Sequence, residues 1–540
     1  MPHVTSSSGA APPSLAPCSP VFDYVVVGAG TAGCAVAARL AEDPQVSVAL
    51  LEAGHAPPRI LSIPLVGLWA WLRQPARFCW EDWTVPQPEL AGRRIWWPAG
   101  RLVGGSSAIN AMVYNRGHPL SYRRWDPAGA TDWNYESLLP YFRRAEDNER
   151  GASTFHGVGG PLGISETRNP YELARAFIAG CQEVGIPATD DFNAAEPNGA
   201  GFYQLTQRRG VRTSTADYLS RAPGGPRVTL FLGARAARVL FDKQRAMAVQ
   251  YQAAGETRVL RAAREVILCA GVVRSPRLLL SSGIGPAPML RRFGIPVIAE
   301  SPSVGVGLQD QLRVPVAFVL DRPRPTRFSA LLSAGVKYLS SRRGLLASNV
   351  CEAAAILPPD PPHSTSSLRI ACRWRVLPER SETLVDFEVA LLEPQSRGVL
   401  GFESGDPFAA PSLDPGYLAE PADREALQHG IELARRIAAS ASCRAAGVGA
   451  EFLPGAIGTL EHLRRHADTA FHPVGTCRFG TDAEAVVDPQ LRVRGVDGLR
   501  IVDASVLPAT VAGNAQAAVL AVAERAADLI RGIGLPAAGC

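Results

Sequence analysis

Phe22-Asp-Tyr-Val-Val-Val-Gly28-Ala-Gly30-Thr-Ala-Gly33 is answered by Val48-Ala-Leu-Leu-Glu52-Ala-Gly54, and these two stretches decide the fold. An apolar run ends in three glycines, a small-residue stretch from Cys34 to Leu40 follows with helical character, and a second apolar run ends in an acid. Each part has a chemical reason. Gly28 permits a tight turn at the end of a strand, Gly30 lets backbone N–H groups at a helix N-terminus approach a pyrophosphate, and Gly33 lets that helix pack closely on the strand. Glu52 stands 19 residues after Gly33, placed to accept hydrogen bonds from a ribose diol. Strand, helix, strand and acid in register predict a dinucleotide-binding βαβ unit rather than a structural glycine-rich turn.

Working outward, 540 residues are enough for two lobes, and 46% hydrophobic with 19% charged residues is the composition of a globular protein. A net charge of +5 without a basic run gives no sign of a nucleic-acid partner, and the near-exclusive use of Arg over Lys (only Lys243 and Lys337) reads as codon bias. Residues 1–20 are Ser/Pro/Ala-rich, predicting a disordered arm that lacks the marks of a secretory signal. No apolar stretch is long enough to span a membrane. Ten scattered cysteines without a Cys-x-x-Cys pair suggest buried thiols rather than disulfides or a metal site, and a cytoplasmic location is the simplest expectation. Nothing sets an oligomeric state.

The nucleotide lobe is expected to be discontinuous, using residues 21–160, 205–310 and 470–535. A second lobe takes 161–204 and 311–469, where Leu368–Val376 and Leu384–Leu392 alternate like antiparallel strands and Arg424–Ala439 is patterned as an amphipathic helix. Pro358-Pro-Asp-Pro-Pro362 marks a loop. The fold class predicted is α/β: a Rossmann-like nucleotide domain plus an α+β substrate domain with a mostly antiparallel sheet, facing each other across a cleft.

Four further motifs single out one family. They are Gly100-Arg-Leu-Val-Gly104-Gly-Ser-Ser-Ala-Ile-Asn110-Ala-Met-Val113, Gly271-Val-Val-Arg-Ser275-Pro-Arg-Leu-Leu-Leu-Ser-Ser-Gly283-Ile-Gly285, Phe471-His472-Pro-Val-Gly475-Thr-Cys477, and Leu499-Arg-Ile-Val-Asp503-Ala504-Ser with Gly513-Asn514-Ala-Gln516. With the N-terminal fingerprint they resemble the glucose–methanol–choline family of FAD oxidoreductases, from about residue 21 to 531. The resemblance implies FAD as the dinucleotide. It sets Thr31 and Ala32 at the pyrophosphate, Glu52 at the adenosine ribose, and Ala236 at the adenine through its backbone. Arg101, Val103, Gly104, Asn110, Ala111, Met112 and Val113 run along the flavin. Asp503 and Ala504 hold the ribityl–phosphate region, and Gln516 lies near the pyrimidine edge. Some relatives tether FAD through a histidine just before the position of Asn110; Ile109 stands there, so non-covalent FAD is expected.

Oxidation of an alcohol at a flavin needs a base for the hydroxyl proton and a hydride acceptor at N5. His472 is the candidate base, because an imidazole titrates near neutrality and Pro473 keeps its backbone extended. The resemblance makes Asn514 its active-site partner, an amide able to orient the substrate oxygen. His156 sits in another family-like stretch and is read as structural. The expected reaction is conversion of a primary, apolar or aromatic alcohol to a carbonyl, with O₂ or another acceptor reoxidising the flavin.

Cys351 opens an alternative. Photodecarboxylases of this family carry a cysteine there and an arginine on a nearby strand that grips a fatty-acid carboxylate, and Arg369, Arg373 and Arg375 alternate along one strand face. Cross-strand pairing with Asp386 and Glu388 is the plainer account of those arginines, and His472 argues against photochemistry. A hydroxynitrile lyase is a further possibility on the same fold. Cys351, Arg373 and Phe471 are the candidate substrate-pocket residues, and Trp69, Trp71, Trp80, Trp83, Trp96 and Trp97 suggest a lid. One departure stands out: Gln311, in Gly307-Leu-Gln-Asp-Gln311, occupies a position where relatives usually have His, and it is expected to affect lobe packing more than redox chemistry.

Overall fold

The N-terminal fingerprint folds as a βαβ unit. Strand β1 (Val21–Val27) runs into helix α1 (Thr31–Leu40), and strand β2 (Val48–Glu52) pairs parallel with β1. A computed structural model describes residues 19–129, 131–168, 170–321, 328–359, 366–376 and 383–535. Nearly all of the predicted arm and part of the Pro358–Pro362 loop lie outside the described residues. Helix α1 is built from small side chains, and Cys34 through Ala38 are fully buried, so it lies flush between sheet and core.

Seven strands make the first sheet, in the order Thr229–Leu232, β2, β1, Glu256–Leu268, Arg245–Ala253, Arg235–Asp242, with Leu499–Ile501 also on Glu256–Leu268. Thr229–Leu232, β2, β1, the second half of Glu256–Leu268 and Leu499–Ile501 run parallel, whereas Arg235–Asp242 and Arg245–Ala253 form an antiparallel excursion. The second sheet is antiparallel, in the order Val448–Leu453, Leu312–Leu320, Thr383–Leu391, Leu368–Val376, Ala353–Leu357, Gly199–Phe202. Thr383–Leu391 is buried along its whole length, and helix Pro421–Ala438 packs against it. A Cβ on Gly430 of that helix would stand 2.4 Å from Val389 Cγ1, so a glycine there allows the approach. The class is therefore mixed α/β, with an antiparallel sheet in the second part. Asp468–Thr469 is a short seventh strand, paired with Leu312–Leu320. From it the chain crosses back, through His472, to the first sheet at Leu499–Ile501.

Candidate active site

A cavity of about 1440 Å³ is lined from both sheets. At one end stands the β1–α1 turn. Gly28 has φ 102°, and a Cβ there would sit 2.5 Å from Cys269 O; one on Gly33 would sit 1.8 Å from Gly28 O. Packing alone therefore demands those two glycines. Gly30 differs: a Cβ there would meet nothing nearer than 4.0 Å, and Gly30 lines the cavity with Thr31 and Ala32. The space above its backbone is open to the cavity. Glu52 lines the same end, its Oε2 accepting from Ala29 N at 3.0 Å and Oε1 from Gly54 N at 2.8 Å. Burial raises its carboxyl to about 7, against the opposing pull of those N–H groups.

Ala236, Asp503, Ala504, Asn110, Ala111, Met112, Val113 and Gln516 continue the wall. Asp503 accepts from Gly271 N at 2.9 Å and from the Ser275 hydroxyl, which ties the start of helix Gly271–Ser281 to the loop after Leu499–Ile501. Asn110 Nδ2 donates to Gln516 Oε1, leaving Gln516 Nε2 buried without a protein partner. A buried N–H left unpaired costs about 1–3 kcal/mol, so this wall suits a ligand with an acceptor edge. Room over Gly30, acceptors on Glu52 and a free donor on Gln516 fit a flavin dinucleotide. Four of the expected cofactor residues lie off the wall: Gly33, whose place is set by helix packing against the turn, and Arg101, Val103 and Gly104. The Arg101 guanidinium turns outward, donating to Ala76 O at 2.5 Å and covering the Trp80 ring, and Val103 is packed in the core. Gly104 N bonds to Ala29 O at 2.7 Å, bracing the glycine turn from behind.

At the other end His472 and Asn514 meet. Asn514 is the N-cap of helix Ala515–Arg531, yet its side chain makes no capping bond. An asparagine at an N-cap ordinarily accepts from the helix N–H groups; here its Nδ2 lies 3.1 Å from His472 Nε2. The amide has given up a local stabilising role for a contact 42 residues away. His472 N donates to Asp310 Oδ1 at 2.9 Å, and Asp310 also accepts from Thr469 Oγ1 at 2.6 Å and from Tyr417. The near-neutral titration expected of His472 does not hold: burial, reinforced by Arg369 and Arg313, lowers the imidazole pKa to about 3, so the ring is neutral at physiological pH and the case for it as base rests on its position.

Cys351, Arg373 and Phe471 also line this end. Arg373 bonds Asp386 at 3.0 Å and Glu388 at 3.3 Å, and Arg369 bonds Glu388 at 3.2 Å. Cross-strand ion pairs thus occupy both guanidiniums; the side chain of Arg375 lies outside what is described. Burial raises the Cys351 thiol to about 11, which leaves it protonated. The Phe471 ring packs 5.1 Å from the Arg313 guanidinium. Of the tryptophans, Trp80, Trp96 and Trp97 line the cavity, Trp83 is 49% exposed, and the side chains of Trp69 and Trp71 are outside the description. Trp97 Nε1 donates to Tyr417 OH at 2.9 Å, joining strand Trp96–Gly100 to the Asp310 cluster. His156 lies away from the cavity, buried between Glu146 and Asp191.

The family follows from comparison with known proteins. Two profiles described as GMC oxidoreductase, N-terminal and C-terminal, match residues 22–313 and 394–523. The chain belongs to the glucose–methanol–choline family of oxidoreductases. It is 36% identical over 529 residues to "Alcohol dehydrogenase [acceptor]" of Pseudomonas putida, covering 94% of this chain and 96% of that one. It is 37% identical to human "Choline dehydrogenase, mitochondrial", covering 95% and 90%. The crystal structure of pyridoxine 4-oxidase from Mesorbium loti matches with a TM-score of 0.84 at 32% identity, over 95% of this chain and 100% of that one. As a GMC oxidoreductase the protein is an FAD enzyme of a family that acts on alcohols. No helix among the described residues is long and apolar enough to cross a membrane, and those residues contain no cluster of three or more His, Cys, Asp or Glu placed to hold a metal ion.

Sequence reasoning missed three contributors to this GMC site. Arg212 donates to Asn110 Oδ1 at 3.1 Å and Asn110 O at 2.8 Å from a buried position that lowers its pKa to about 9. Arg313 reaches the cavity from the second sheet, where no motif marks it. Gln311 was expected to matter for lobe packing. It does hold separate segments together, through Leu392 O, Val511 O and Gly513 O, but its Oε1 also lies 2.7 Å from His472 Nδ1, in direct contact with the candidate base. A glutamine in a histidine position was the one available signal.

Proposed function

We propose that this chain oxidises a primary alcohol with an apolar or aromatic body to the aldehyde, His472 taking the hydroxyl proton and Asn514 orienting the oxygen. The observation that carries the reading is the His472–Asn514 pair on the wall of the cavity that also holds the glycine turn and Glu52. FAD, when bound, supplies the hydride acceptor at N5. Glu52 then holds the ribose, Thr31 and Ala32 meet the pyrophosphate, and Gln516 donates to the pyrimidine edge. Ile109, buried beside the cavity, has no atom that could bond a flavin covalently, so the cofactor dissociates on denaturation. The apolar wall formed by Leu65, Leu68 and Leu72 with Trp80, Trp96 and Trp97 favours an aromatic or aliphatic body over a sugar. The names of the relatives, an alcohol dehydrogenase and an oxidase of pyridoxine, support that choice.

Anaerobic mixing with a panel of primary alcohols tests the reaction: at least one aryl or alkyl alcohol bleaches the flavin absorbance. His472→Ala with full FAD content reduces about 10²–10⁴ more slowly, the usual contribution of a general base. Reduction at the wild-type rate by that variant removes His472 from the role.

A further inference from the structure

The side-chain amide of Gln311 has two chemically different ends. One is an oxygen that can only accept, the other an NH₂ that can only donate. Three backbone carbonyls surround one end: Leu392 O at 2.8 Å, Val511 O at 2.9 Å and Gly513 O at 3.0 Å. Carbonyl oxygens cannot donate, so this end is the NH₂. The reverse orientation would force three oxygen–oxygen contacts of about 3 Å in a site that is 1% exposed. The opposite end is therefore the oxygen, and it lies 2.7 Å from His472 Nδ1. An acceptor at that distance requires a hydrogen on Nδ1.

We propose that Gln311 is a positioning residue that fixes His472 as the Nδ1–H tautomer and leaves the Nε2 lone pair facing the cavity. Asn514 agrees with this: its Nδ2, which can only donate, lies 3.1 Å from Nε2, so Nε2 is the acceptor nitrogen of the ring, as the Nδ1–H tautomer requires. The charged groups around the ring agree with a neutral imidazole, since Arg369 and Arg313 outweigh Glu388 there. A glutamine also differs from the carboxylate that orients the imidazole in a serine-protease triad. It holds the ring without adding negative charge that would favour the imidazolium. A carboxylate at 311 would lose the donors facing three carbonyls as well.

The tautomer rests on hydrogen-bond geometry alone; its catalytic meaning rests on the base assignment above. The test uses FAD-loaded enzyme labelled with ¹⁵N-histidine, with the His472 signals assigned by difference against His472→Asn. Wild type is expected to show a protonated Nδ1 and an unprotonated Nε2 from about pH 5 to 8, a range spanning the ordinary imidazole pKa. Gln311→Met, neutral and of similar length, is expected to give a mixture of tautomers. Its flavin reduction slows by at least tenfold, toward the loss of about 10⁴ seen when a triad histidine adopts the wrong tautomer, while the alcohol's Kd changes little. Gln311→Glu is expected to make flavin reduction acid-sensitive at a higher pH than wild type. A protonated Nε2 in wild type overturns the proposal without needing any variant, and so does an unchanged tautomer in a folded Gln311→Met. A changed tautomer with an unchanged reduction rate leaves the positioning role intact and removes His472 as the base.

Discussion

Phe471 has φ 65°, a left-handed conformation costing a non-glycine residue about 1–3 kcal/mol, and it immediately precedes the candidate base. Two hydrogen bonds hold it there: Phe471 N donates to Thr469 Oγ1 at 2.8 Å and His472 N to Asp310 at 2.9 Å. Asp310 itself is buried, which raises its pKa to about 6. Local strain is thus fixed by a polar cluster, so the imidazole reaches the cavity at a set angle. Glu52 carries the residue-scale prediction. Burial raises its folded pKa to about 7, well above the unfolded value near 4.3, so below about pH 7 the apo-protein holds a proton there. A ribose diol donates to a carboxylate, and protonation removes part of that acceptor capacity. FAD affinity of the apo-protein should therefore rise as pH increases through about 7, and Glu52→Gln should flatten the dependence. Fluorescence titration of FAD across that range checks it; equal slopes in both proteins would exclude Glu52 as the titrating group.

Among the elements, α1 shows why the glycine fingerprint is legible. Its start must lie against the β1–α1 turn, and Gly33 is within 1.8 Å of Gly28 O for any added Cβ, a backbone contact that cannot swing away. Gly33→Ala should push the helix off the turn and destabilise the fold by about 1–3 kcal/mol, the usual range for overpacking. Purified Gly33→Ala is expected to show a lower Tm and sub-stoichiometric FAD, whereas Gly532→Ala, past the end of the final helix with nothing near its side, keeps FAD content normal. The final helix makes the complementary point. Its N-cap side chain is diverted to His472, so its start depends on tertiary contacts rather than on a local cap.

For the molecule as a whole, the two ends of the folded chain are bolted together. Glu524 on Ala515–Arg531 is fully buried and accepts from Arg39 Nε and NH2 on α1 at 2.9 Å, from Arg144 Nε at 2.6 Å and from Tyr218 OH at 2.6 Å. The helix bearing Arg39 begins at the glycine turn, and the helix bearing Glu524 begins beside Asn514. The cluster therefore sets the glycine-turn end of the cavity relative to the end that holds His472 and Asn514. Glu524→Ala leaves the buried Arg39 and half-buried Arg144 guanidiniums short of their carboxylate and should cost about 3–5 kcal/mol. Urea unfolding should show a lower midpoint with an unchanged m-value, and FAD retention should fall with it. A midpoint equal to wild type would show that Glu42 and Asp528, which also pair with these arginines, suffice on their own.

The sequence alone determined the parts governed by neighbours along the chain. The glycine turn, the acid ending β2, the alternation of Leu368–Val376 and the helix at Pro421–Ala438 all follow from local sterics and periodicity, and family motifs marked His472 and Asn514. Tertiary structure decided which of these residues meet. Gln311 and His472 are 161 positions apart, and the amide's orientation depends on carbonyls from Leu392, Val511 and Gly513. Arg212 behind Asn110 and the outward turn of Arg101 were equally illegible. Periodicity reports which face of a strand is buried, whereas a hydrogen bond of 2.7 Å depends on where two separately built sheets place their ends. That placement is set by packing over the whole molecule, and no local pattern encodes it.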